Sequence, residues 1–219
     1  KDSSPTITDC IIYAGGNPAS LGDYDKSAIT VSGTPSGASH PHITNCIINF
    51  EGSGGTNTKW CAGISIYDYG KPRISCCQIF SGNTSTTAPD ATSFGIRATF
   101  LAGSDQIVID RNIIESGAGT TSEAISLESV PDTPIHINNN IIKSGPATTT
   151  TIGINSESCQ VFIRNNTIIT GHSTSFIPNN YGIYIHSSLS TSIDNNLFLN
   201  RSPSQRTTHA IYESYATTN

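Results

Sequence analysis

The sequence predicts an all-β chain folded as one right-handed parallel β-helix of about seven coils, spanning residues 1–219 as a single domain. Three observations carry that expectation. A short isoleucine-led motif recurs seven times, a second strand-like motif recurs between its copies, and no stretch has helical periodicity.

The first motif is Ile-x-(Asp/Asn/Cys/Arg)-(Cys/Asn) followed by one or two apolar residues. It reads ITDCII from Ile7, ITNCII from Ile43, ISCCQI from Ile74 and IDRNII from Ile109. INNNII from Ile137, IRNNTII from Ile163 and IDNNLF from Ile193 complete the set, at intervals of 36, 31, 35, 28, 26 and 30 residues. A glycine follows eight residues after the anchor at Gly15, Gly82, Gly117, Gly145 and Gly171. In the second copy it falls one place later, at Gly52, which predicts a one-residue bulge around Phe50.

The second motif places a small residue before Ile-x-apolar. Its copies are AITV (Ile29), GISI (Ile64), GIRA (Ile96), AISL (Ile125), GINS (Ile154), GIYI (Ile183) and AIYE (Ile211). Alternation of this kind marks a strand with one buried face. Each unit is therefore two or three short strands joined by Gly/Ser/Thr turns. One unit cannot bury its apolar face, but stacked units share a continuous core. Strands that recur in register with no return strand pair parallel to their own copies. At about 4.8 Å per coil, seven coils make a rod about 34 Å tall.

The fourth motif position is Cys10, Cys46, Cys77, Asn112, Asn140, Asn166 and Asn196. An inward Asn at a turn hydrogen-bonds to the coils above and below, and a thiol is small enough for the same slot. The repeats SPTITDCII, HPHITNCII and KPRISCCQI make the chain resemble the pectate-lyase-like right-handed parallel β-helix superfamily, in particular bacterial surface proteins with SPxIxNCxI-type repeats. The resemblance covers essentially the whole chain. It implies the fold but no single activity, because that superfamily includes lyases, hydrolases, adhesins and structural rods.

Bulk composition narrows the classes of function. Charged residues make up 12 % of the chain and the net charge is −5, so a phosphate-tracking basic face and a nucleic-acid partner are not expected. No apolar run reaches the roughly 20 residues of a membrane span. Few charges and many hydroxyl and amide side chains fit an extracellular or cell-surface protein. With no methionine, the chain reads as a mature or excised part of a longer protein or assembly.

Projecting the second motif outward gives two columns. One runs Thr30, Ser65, Arg97, Ser126, Asn155, Tyr184, Tyr212; the other runs Ser32, Tyr67, Thr99, Glu128, Glu157, His186, Ser214. Tyr67, Arg97, Glu128, Glu157, Tyr184 and His186 are the candidate ligand-binding residues. Stacked carboxylates raise one another's pKa or bind a cation, and aromatic rings suit sugar faces. The competing reading is an ordinary solvated sheet face.

The resemblance also supplies enzymatic signatures to look for. Pectate lyases pair a calcium-binding acidic cluster with an Arg base; polygalacturonases use an Asp trio with Gly-His-Gly and Arg-Ile-Lys segments. None of these patterns occurs here, and Gly171-His172-Ser173 reads as a surface turn. Were the chain an enzyme, Glu128, Glu157, Arg97 and His186 would carry the chemistry. No cofactor is implied beyond calcium, for which Asp23 and Asp25 in GDYD are candidate ligands beside the stacked carboxylates.

Cys76 and Cys77 are adjacent, so both cannot point into the core; Cys77 belongs to the inward column. Packing in a narrow slot favours reduced thiols for Cys10, Cys46 and Cys77, although spacing alone leaves connectivity open.

Two functions remain in view. One is a non-catalytic surface module, structural, adhesive or saccharide-binding, with a polysaccharide or surface protein as partner. The other is a lyase or glycoside hydrolase acting on an acidic polysaccharide. A solenoid also needs its ends covered, which leads to the expectation of flanking domains or neighbouring subunits there.

Overall fold

A computed structural model describes residues 4–15, 26–52, 59–85, 88, 90–174, 179–187, 190–200 and 208–214. Every described element is a strand, and every ladder between strands is parallel. The chain is a parallel β-solenoid.

Each coil contributes one strand to each of three faces. Face A holds the Ile-led motif: Thr6–Thr8, His42–Thr44, Arg73–Ser75, Ile107–Asp110 and Ser190–Asp194, with the second halves of Gly119–Asn138 and Ala147–Arg164. Face B follows the turn: Ile11–Ala14, Ile47–Gly52, Gln78–Asn83, Ile113–Glu115, Ile141–Lys143, Thr167–Thr170 and Leu197–Asn200. Face C carries the second motif: Lys26–Ser32, Trp60–Tyr67, Thr92–Thr99, Asn179–His186 and Thr208–Ser214, with the first halves of the two long strands. The 20-residue and 18-residue strands run through the corner between faces C and A, which joins those faces as one 12-stranded sheet; face B is a separate sheet of seven strands.

The solenoid amounts to about five turns rather than the seven expected. All seven motif copies form a strand of face A and, after the turn, a strand of face B. Among the described residues, however, the first and last coils have a neighbouring coil on one side only. Ile7, Ile12, Ile193 and Phe198 there are partly buried, whereas their counterparts Ile43, Ile48, Ile163 and Ile168 are fully buried. The bulge expected near Phe50 is not formed: Phe50 pairs with Ser81 and Gly52 with Asn83 in unbroken register. The late glycine simply lies one position further along the same straight strand.

The turn between faces A and B shows why the motif has its composition. Its third residue adopts a left-handed conformation in all seven copies, from Asp9 (φ 54°) to Asn195 (φ 52°). Asp and Asn tolerate that region best and fill five of the seven sites. The fourth residue then points inward. Asn112 Nδ2 donates to the Ile74 carbonyl (3.0 Å) and to Asn140 Oδ1 (3.0 Å), and the Asn112 amide donates to the same oxygen (2.9 Å). Asn140 and Asn166 repeat this pattern, and Asn196 closes it through the Ile163 carbonyl. Cys46 and Cys77 take over the donor role, their thiols reaching the carbonyls of Ile7 and Ile43 at 3.6 Å.

All six cysteines are free thiols. Cys77 is 1 % exposed while Cys76 faces solvent, as adjacency requires. Burial pushes the Cys77 thiol up to about 11, so this thiol is chemically quiet. The glycine after each anchor has a different cause. A Cβ on Gly145 would sit 2.5 Å from the carbonyl oxygens of Ser116 and Gly117, so stacked turns leave no room for a side chain.

Candidate functional site

Face C positions the site. Its register places Thr30, Ser65, Arg97, Ser126, Asn155, Tyr184 and Tyr212 in one outward column. The same ladders place Ser32, Tyr67, Thr99, Glu128, Glu157, His186 and Ser214 in the next. The structure therefore brings Tyr67, Arg97, Glu128, Glu157, Tyr184 and His186 onto one outer surface, on neighbouring coils.

The bend in each face-C strand shapes that surface. The small residue and the isoleucine after it, as in Ala124 and Ile125, are both in the core, and the ladder skips the small residue. Two consecutive inward residues fold the strand, so the outward residues on either side lean toward each other. This adds a third outward column across the bend: Phe94, Glu123, Ile152, Tyr181 and His209.

At the centre sits Arg97. Its guanidinium lies 5.0 Å from the Trp60 ring and 5.1 Å from that of Phe94, and its Nη2 is 3.5 Å from Glu128 Oε2. Its side chain is 11 % exposed, so the cation is clamped between two rings rather than offered to solvent. Glu123 lies beneath this cluster, 7 % exposed, and accepts a hydrogen bond from Asn155 Nδ2 at 3.1 Å. Burial raises its carboxyl from 4.5 to about 7, with Ser126 and Asn155 opposing through hydrogen bonds, Glu128 adding to the rise and Arg97 opposing it. Glu157, on the coil beyond Glu128, is exposed.

Toward the last coils the surface becomes aromatic. Tyr181 lies 5.0 Å from Tyr184, 5.2 Å from Tyr212 and 5.6 Å from His209; Tyr184 stacks on Tyr212 at 5.5 Å and 13°. His186 lies parallel to Tyr184 at 6.5 Å. At the rim, Phe100 is 70 % exposed and holds φ at 52°, an unusual conformation for a bulky side chain.

Reading outward from the isoleucine alone missed Glu123, Trp60, Phe94, Tyr181 and His209. They precede the small residue, and the alternation restarts across the bend. Counting two residues back from each isoleucine, to the residue just before the small one, would have found the third column. Asp23 and Asp25 lie outside the described residues. Among the described residues no group of three or more His, Cys, Asp or Glu side chains could hold a metal ion.

No protein-family model, curated protein or solved structure matches the chain. The resemblance carried by the repeats thus rests on the motifs and the fold alone.

Proposed function

We propose that this chain is a non-catalytic extracellular or cell-surface module of the pectate-lyase-like kind that binds a saccharide along the outer surface of face C. The observation that supports this most is the run from the Tyr181–Tyr184–Tyr212 platform through His186 and Glu157 to Glu128 and Arg97 on one rigid sheet. Aromatic faces cover the apolar side of a sugar ring, while carboxylate, amide and imidazole groups take its hydroxyls. A site on strands needs little ordering when ligand arrives. The exposed Glu157 beside the half-buried Glu128, with Arg97 clamped, favours an uncharged glycan over a uronate.

Binding is tested by calorimetry on neutral oligosaccharides (cello-, xylo- and mannohexaose) and on oligogalacturonate. A neutral ligand whose affinity falls at least tenfold in both Tyr184→Ala and Tyr212→Ala is the expected result. Binding insensitive to either change would refute this placement of the site.

One observation favours a second reading, a polysaccharide lyase or glycoside hydrolase. Glu123, a buried carboxyl raised to about 7, lies within Coulombic reach of Glu128, and a raised carboxyl beside a second acidic side chain is a common acid–base arrangement. Release of unsaturated or reducing ends, abolished by Glu123→Gln or Glu128→Gln, would establish that reading.

A further inference from the structure

Face B differs from the other outer surfaces. Its two outward columns run Ile11, Ile47, Gln78, Ile113, Ile141, Thr167, Leu197 and Tyr13, Asn49, Phe80, Glu115, Lys143, Ile169, Leu199. Nine of these fourteen side chains are apolar. Tyr13 is 66 % exposed, Leu197 55 %, Leu199 45 % and Ile141 40 %. Single exposed apolar residues are ordinary, whereas a continuous strip of them along a sheet marks a contact surface. The only charged side chains in the two columns are Glu115 and Lys143, on adjacent coils and 3.5 Å apart.

The order of residues along the strip identifies its occupant. A two-fold axis parallel to the strands, passing between the Ile113–Glu115 and Ile141–Lys143 strands, reverses the coil order and keeps each column opposite itself. It sets Glu115 opposite the Lys143 position of a second copy, and Lys143 opposite the Glu115 position. Gln78 then faces Thr167, the two polar interruptions of the first column. Phe80 faces Ile169, Ile113 faces Ile141, and Ile47 faces Leu197. Asn49, opposite Leu199, is mismatched, and Ile11 and Tyr13 of the first coil have no counterpart across the axis. We propose that face B is a self-association surface on which two copies pack back to back with their rods antiparallel.

The dimensions set the strength of the pair. Six matched coils at about 4.8 Å give a strip about 30 Å long and about 14 Å wide, or about 800 Å² buried over both copies. That lies below the range of stable dimers, so the pair is weak and concentration-dependent. Face C stays uncovered in the pair, and two saccharide surfaces on one particle would bind a polymer with greater avidity.

Sedimentation velocity on the chain from about 1 to 500 µM tests the proposal. The wild type is expected to shift from monomer toward dimer across that range. Glu115→Lys alone and Lys143→Glu alone should each remain monomeric, because each sets like charges across the axis. An equimolar mixture of the two variants should associate again, since every cross-axis pair is then of opposite charge; that recovery also shows that both variants are folded. A wild type that stays monomeric throughout would overturn the proposal. So would association that survives both single substitutions, which would place the contact at the rod ends instead.

Discussion

Asn140 shows how one side chain holds three coils. Its Oδ1 accepts from the Asn112 amide and from Asn112 Nδ2, while its own Nδ2 donates to the Ile109 carbonyl and to Asn166 Oδ1, all at 2.9–3.0 Å and 1 % exposure. Replacing it by leucine leaves those buried partners unsatisfied, at about 1–3 kcal/mol each before any relaxation. Chemical denaturation of Asn140→Leu should show a loss of at least about 2 kcal/mol. An unchanged midpoint would mean that the amide does not bridge the coils. Glu123 gives a residue-scale prediction about pH. Its carboxyl titrates higher in the folded chain than its ordinary value of 4.5, so the folded state holds the proton more tightly. The stabilisation is present in full below about 4.5 and is lost as pH rises through about 7; the shift sets an upper bound of about 3 kcal/mol. Glu123→Gln should flatten the melting temperature between pH 5 and 8, and should raise it at pH 8 relative to the wild type. Equal pH dependence in the two proteins would show that Glu123 is solvated.

The turns and strands carry the next level of organisation. Gly145 occupies the turn after face B, where a methyl group would meet the backbone of the coil below at 2.5 Å. Because the obstruction is backbone rather than a flexible side chain, it cannot move aside cheaply. Gly145→Ala should destabilise by about 2 kcal/mol or more, read by thermal unfolding, and a neutral result would mean that the coils are spaced more loosely there. Most of this level was legible in the sequence. The anchor isoleucines, the inward Cys/Asn column and both outward columns of face C follow from counting along the motif. The bend at residues such as Ala124 was not legible, because strict alternation predicts one inward residue where the strand has two. Glu123 and the Tyr181–His209 column were hidden for that reason alone. The bulge at Phe50 failed for a different one: a glycine displaced by one place need not displace the strand.

At the scale of the whole molecule, the two functions proposed lie on separate faces of one rod. Face C combines a clamped cation, buried and exposed carboxyls and an aromatic platform, while face B is apolar around a single ion pair. The core that joins them is a stack of isoleucines fully removed from solvent, so the outer surfaces are held at fixed spacing by the coils themselves. The motif specifies those inward positions tightly and the outward ones hardly at all, and so the repeat announces the fold while the ligand must be read from the surface. Hydrogen–deuterium exchange with and without a bound neutral hexasaccharide tests the central claim most directly. The account predicts added protection in Asn179–His186 and Thr208–Ser214, reaching into Thr92–Thr99, with face B unchanged at concentrations where the chain is monomeric. Protection on face B or at the rod ends, with those three strands unaffected, would contradict it.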